Sequence, residues 1–168
     1  MMSKILKVLG VLLLIIIFII VALIVTNIYY DKKNSKDSQQ FALDAMKAIA
    51  STWDKQEVLN RYNPSIKPKI DLEALEKSLF VLKKDGVLKG EIKNINGNLI
   101  MIKSFEGNPN STAVYNGEIN LDNGNYVMRL YLSRWDSNWC IDQIDVCDKK
   151  MPESLENCKI TSLQMSVQ

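Results

Sequence analysis

Between Val8 and Val25 every position is apolar apart from Gly10. At 1.5 Å of rise per residue, about 18 residues span about 27 Å, and Ile5, Leu6 and Thr26 extend the run toward the ~30 Å hydrocarbon core of a bilayer. A helix on a soluble domain keeps a polar face, and this run keeps none. The pattern predicts a stub and transmembrane anchor over residues 1–30 that contacts the lipid bilayer through Val8–Val25. Tyr29 and Tyr30 fall where an interfacial aromatic belt belongs, and Lys7 can snorkel at the other end. The run is longer than the apolar region of a cleaved signal peptide, and its exit has no small-x-small site, so an uncleaved signal-anchor is expected.

After the anchor the pattern turns polar over residues 31–36, a charged connector, and then becomes amphipathic. Asp37 with Gln40 reads as a capping box that opens a helix. Ala42, Met46, Ile49 and Trp53 form its apolar stripe, widened by Phe41, Ala45 and Ala48. Asp54 with Glu57 starts a short second helix to about Arg61, stopped by Asn63-Pro64. Asp71 caps a third helix whose stripe is Leu72, Leu75, Leu79 and Leu82, with Lys83 and Lys84 near its end and Gly86 as the stop.

From Val87 the period becomes two. Val87–Ile95 and Leu99–Phe105 flank Asn96-Gly97, and 112–121 and 126–134 flank Asn123-Gly124; both dipeptides are strong hairpin signals. A two-residue turn at Asn123-Gly124 would place Leu121 opposite Tyr126, Ile119 opposite Met128, Gly117 opposite Leu130 and Glu118 opposite Arg129. A turn at residues 135–138 would pair Leu132 with Ile141, Arg134 with Trp139 and Tyr131 with Asp142. One face then collects Tyr115, Ile119, Leu121, Tyr126, Met128, Leu130, Leu132, Trp139 and Ile141. Ile144 and Val146 have the opposite parity to Trp139 and Ile141, which predicts a bulge near Asp142-Gln143. In the C-terminal segment 148–168, Leu163, Met165 and Val167 alternate with polar residues and suggest a further strand. The fold class expected is α+β: a transmembrane helix, then about three helices packed on an antiparallel sheet of five or six strands over residues 37–147.

Charge and composition narrow the chemistry. Beyond residue 30, nineteen basic and nineteen acidic side chains cancel, so the domain lacks the electrostatic footprint of nucleic-acid binding. The chain has no histidine, which removes the commonest general base and metal ligand together. No catalytic, cofactor-binding or metal-ligating constellation stands out, and no cofactor is expected. Cys147 and Cys158 are a candidate disulfide closing a loop over Asp148–Asn157, although Cys140 can replace either partner and all three can stay reduced. Trp53 and Trp139 are candidate lining residues of a ligand cavity, set against the commoner role of such aromatics as core. Glu118, Arg129, Tyr131 and Asp142 form a candidate recognition face, set against an ordinary solvated sheet surface.

Helices followed by an antiparallel meander carrying Gly124, Tyr126, Val127, Leu130, Leu132, Trp139, Ile141, Ile144 and Val146 resemble the nuclear transport factor 2-like (cystatin-like) superfamily over residues 37–147. The resemblance implies a curved, cone-like sheet around the first helix, and a single-span protein of a bacterial envelope. Its enzymatic members place Asp, His or Tyr inside the cone, where the positions assigned here are almost all apolar. The resemblance therefore carries no catalytic residue onto this chain.

Taken together, these features point to a non-enzymatic, membrane-anchored domain that binds a protein partner or assists envelope assembly. The expected topology puts the N-terminus in the cytoplasm and the domain outside it, facing a bacterial periplasm. One alternative is a small-molecule binder or enzyme of the cone type. Another is a pilin-like subunit, because Lys7-Val-Leu-Gly10 before an apolar run resembles a prepilin leader. Against it, Ile15 stands where that family has an acidic residue, and the polar residues 31–36 are expected to interrupt the long helix.

Overall fold

A computed structural model of the protein describes residues 2–102 and 110–149. The chain divides into two compact units, Met1–Lys36 and Asp37–Gln168. Three α-helices come first: α1 (Met2–Thr52), α2 (Lys55–Arg61) and, after a 3-10 turn at Lys67–Lys69, α3 (Leu72–Asp85). Four strands follow: β1 (Lys93–Ile102), β2 (Asn110–Leu121), β3 (Gly124–Trp135) and β4 (Asn138–Asp148). They form one antiparallel sheet in the order β1-β2-β3-β4. The class is α+β as expected, with four strands among the described residues rather than five or six. The sixth-strand residues Leu163, Met165 and Val167 lie outside the described residues.

In the first unit, every side chain from Leu12 to Tyr30 is exposed, and the helix is long and apolar enough to cross a membrane. The expected helix start at Asp37 is not found, because α1 runs through residues 31–40 without a break. That stretch contains no glycine or proline, so nothing there disrupts the i→i−4 ladder. A loss of apolar character alone does not end a helix. The Asp37–Gln40 pair consequently lies inside α1 and caps nothing.

In the second unit, Ala42, Ala45, Met46 and Ile49 of α1, with Trp53 just after it, are buried with Leu75, Leu79 and Leu82 of α3 and the inner face of the sheet. Leu72, expected on the α3 stripe, is exposed; it is the first residue of the helix, one turn short of the first buried leucine. The caps of the shorter helices are as expected. Asp54 Oδ1 accepts from the Glu57 amide at 2.9 Å. Asp71 Oδ1 accepts from the Glu73 and Ala74 amides at 3.0 and 3.1 Å, satisfying N–H groups that have no partner within the helix. Gly86 closes α3 at φ 107°. Ser38 Oγ and Tyr115 Oη, both buried, share a 2.7 Å hydrogen bond that ties α1 to β2.

The first expected hairpin does not form. Asn96 and Gly97 lie inside β1, opposite Asn116 and Tyr115 of β2. A side chain at Gly97 would collide with the Val114 carbonyl and the Tyr115 ring, so the glycine serves close approach rather than a turn. A register shift between Lys93 and Asn96, with Asn94 at φ 50°, takes up the local irregularity as a bulge. The expected second strand, Leu99–Phe105, becomes the end of β1 as far as Ile102; beyond it the described residues resume at Asn110.

The second hairpin forms with its register moved by two residues. Leu121 pairs with Gly124, Ile119 with Tyr126, Gly117 with Met128 and Glu118 with Val127 rather than Arg129. The turn is Asp122-Asn123, and tertiary contacts hold it there. The Asn123 amide donates to Asp85 O at 3.0 Å, and Asn123 Nδ2 donates to Lys84 O at 3.0 Å. Asp122 accepts from the Val87 amide at 3.2 Å and pairs with Lys89 at 2.6 Å. A shift of two preserves side-chain parity, so Tyr115, Ile119, Leu121, Tyr126, Met128, Leu130 and Leu132 are all buried as expected.

Between β3 and β4 the pairs Leu132–Ile141 and Arg134–Trp139 are as expected, around a tight turn at Asp136 and Ser137, both at positive φ. The expected bulge is present, and it moves Tyr131 opposite Gln143 instead of Asp142. With Asp142 as the extra residue, Ile141, Ile144 and Val146 all reach the core.

Candidate functional site

Alternation along the sheet leaves one face toward the core and sets the other in rows. From the pairings these rows are Glu118–Val127–Cys147, Asn116–Arg129–Asp145 and Val114–Tyr131–Gln143. The candidate recognition residues Glu118, Arg129, Tyr131 and Asp142 are all partly buried, but the structure separates them by partner.

Glu118 pairs with Lys149 Nζ at 2.7 Å. The hydrogen bond from Lys149, then that from Asn94, holds its carboxyl below the ordinary range. Asp142 belongs to a different cluster. Its Oδ1 accepts from Ser133 Oγ at 2.7 Å and from Asn63 Nδ2 at 3.1 Å, while the Asn63 amide donates to Ile141 O at 2.9 Å. This cluster fastens the segment after α2 to β4, where Tyr62 and Ile141 form a parallel bridge. Burial, and then the charges of Asp145 and Asp142, push the Tyr62 phenol above its usual range, so it stays protonated.

Arg129 and Tyr131 remain together near the middle of the face. Arg129 Nε donates to Asn116 Oδ1 at 2.7 Å, and Nη1 to Tyr131 Oη at 3.4 Å. No carboxylate lies within ion-pair distance of Arg129 among the described residues. Asp145 is its cross-strand neighbour, but Asp145 Oδ1 accepts from Gln143 Nε2 at 2.9 Å. Asn116 is the member of this group that the sequence did not single out. Only the corrected register reveals it, because the expected pairing put Glu118 in its place.

Trp53 and Trp139, the candidate cavity residues, occupy different settings. Trp53 ends α1 at φ 48° and is only 3% exposed. Its indole Nε1 donates to Gly86 O at 2.8 Å, and beside it the Leu88 amide donates to Ala50 O at 2.9 Å. It thus ties the end of α1 to the segment leaving α3. Trp139 is partly buried at the start of β4 and packs against the core.

Cys147 is disulfide-bonded and Cys140 is a free thiol; Cys158, the partner expected from the sequence, lies outside the described residues. No cluster of three or more His, Cys, Asp or Glu suited to a metal ion occurs among the described residues. Compared with protein-family models, curated proteins and solved structures, the chain matches none of them.

Proposed function

We propose that this chain is a non-enzymatic, single-pass membrane protein whose Asp37–Gln168 unit lies outside the cytoplasm and binds another envelope protein. The observation that carries the reading is the uncovered apolar surface from Leu12 to Tyr30, where Phe18 is 75% exposed and Leu14 66%. Leaving one such side chain in water forgoes about 1.5–3 kcal/mol, so a continuous run of them belongs in lipid. The Cys147 disulfide supports an oxidising compartment for the folded unit. The balanced charge and the absence of histidine favour binding over catalysis, and we place the bridge partner at Cys158. A fold of the nuclear transport factor 2-like type agrees with the helix α1 packed on the inner face of an antiparallel meander.

Crosslinking in intact cells tests the reading. The expected result is a discrete adduct with a second protein, together with digestion of the Asp37–Gln168 unit by external protease. A chain that stays solitary under conditions that capture known complexes, or that is cut only at its N-terminal stub, overturns it.

A second reading, a pilin-like subunit, gains from one observation: α1 is unbroken from Met2 to Thr52, so the interruption expected at residues 31–36 does not count against it. Ile15 in place of an acidic residue still does. Mass spectrometry of the mature N-terminus decides, with Val11 as the first residue if the leader is removed after Gly10.

A further inference from the structure

Arg129 is the one cation among the candidate recognition residues, and it has no carboxylate within ion-pair distance among the described residues. We propose that the outer face of the sheet docks a partner protein through a single Asp or Glu side chain, gripped by Arg129 and Tyr131. This rests on the reading that the unit is a binding module, and it names the surface and the chemistry of the partner.

Charge and donor geometry both single out this residue. Glu118 is neutralised by Lys149, and Asp142 is held by Ser133 and Asn63. Arg129 is partly buried, and a guanidinium removed from water without an anion is unfavourably placed. Its hydrogen bonds to Asn116 and Tyr131 fix the plane of the group without supplying negative charge.

Those bonds use Nε and one Nη1 hydrogen, leaving the Nη2 edge as a donor fork. Tyr131 Oη accepts from Arg129, so its own hydrogen is available to donate. A fork of N–H groups beside an O–H is a receptor for an oxyanion, and guanidinium matches a carboxylate in two-point geometry. The neighbours choose between anions. Asp145 sits directly across from Arg129 and Glu118 lies one row away, so the local field suits a monoanionic carboxylate better than a dianionic phosphate. Val114 and Val127 in the adjoining rows offer apolar contact around the charge, which is how interfaces exclude water from a central polar pair.

The test places a photo-crosslinking amino acid at Val114, beside Tyr131, and separately at Glu73, exposed on α3, in the full-length chain in its native cells. The expected result is an adduct at position 114 whose partner peptide contains Asp or Glu. Arg129→Gln reduces its yield about thirtyfold or more, the lower end of the scale for removing one member of a desolvated charge pair, and Arg129→Lys reduces it less. Melting temperatures of the variants are compared first. If Arg129→Gln unfolds, the comparison uses Arg129→Lys, whose loss of the fork still lowers the yield. Arg129→Glu combined with Arg at the partner's acidic position restores the adduct. Adducts at 114 that ignore Arg129, that map to residues 150–168 of this same chain, or that never form overturn the proposal. Adducts at 73 without any at 114 leave the binding-module reading standing and this face refuted; none at either position refutes both.

Discussion

Gly117→Ala measures how closely α1 is seated on the sheet. A Cβ at this position would lie 2.6 Å from Met46 Sδ, 2.9 Å from Ile92 Cγ2 and 3.4 Å from Ile95 Cγ1. Non-bonded carbons are comfortable at about 3.5–4.0 Å, so Met46 has to withdraw by about 1 Å. Its thioether is flexible, yet the residue is completely buried and has no solvent to move into. Ile92 is β-branched and stiffer still. Overpacking of this kind costs about 1–3 kcal/mol. Replacing glycine returns about 0.4–1 kcal/mol by narrowing the unfolded ensemble. The balance is a destabilisation of about 1–2 kcal/mol.

A second substitution makes the reasoning specific to this contact. Met46→Ala alone opens a cavity at a cost of about 2–5 kcal/mol. In the double variant the methyl added at position 117 enters the space that Met46 vacates, so the losses fall short of additivity by about 1 kcal/mol. Urea unfolding of the full chain in detergent, followed by the combined fluorescence of Trp53, Trp135 and Trp139, gives all four corners of the cycle. A Gly117→Ala chain as stable as the parent, or a cycle without coupling, refutes the close seating.

Other tests follow from single contacts. Trp53→Phe deletes the 2.8 Å bond to Gly86 O and leaves that carbonyl without its donor, which costs about 1–3 kcal/mol; thermal melts by circular dichroism read the loss. Alkylation without reductant labels only Cys140, slowly at neutral pH because burial, and then Asp142, pushes its thiol pKa up. Reduction raises the labelled count to three by mass, and Cys147→Ser lowers stability by about 2–3 kcal/mol. Glu118, through Lys149 and then Asn94, and Asp122, through Lys89 and then the Val87 amide, both have carboxyls held below their usual values. Folding therefore favours their ionised forms: the stabilisation is complete above the unfolded-chain values near pH 4 and is lost as pH falls through the lower folded ones. Glu118→Gln and Asp122→Asn should flatten the fall in melting temperature below about pH 5.

What the sequence revealed and what it concealed divide along a physical line. The long apolar N-terminal helix, the Asp54 and Asp71 caps, and the buried stripes of α1 and α3 depend on residues within a turn or two of each other. The bulge at Asp142 was also legible, because four apolar residues on one strand cannot share a face by simple alternation. The helix start expected at Asp37 failed for a local reason, since nothing in residues 31–40 breaks the ladder; the hairpin errors arose where a local signal met a distant contact. Of the three Asn-Gly pairs, the two that read as hairpin turns, at 96–97 and 123–124, do not make the two-residue turn that the dipeptide favours. At the first, Gly97 is needed so that β2 can approach; at the second, the carbonyls of Lys84 and Asp85 at the end of α3 capture Asn123 and move the turn back by one position. That small movement carries the functional consequence. It takes Glu118 away from Arg129 and puts Asn116, an uncharged acceptor, in its place. Had the expected register held, Arg129 would have had its carboxylate inside the chain. The docking of the β2–β3 turn on α3 is thus what leaves a cation on the outer face for a partner to meet. A variant such as Asn116→Asp, which supplies that carboxylate internally, should abolish Arg129-dependent adducts while leaving the fold and the apolar N-terminal helix intact.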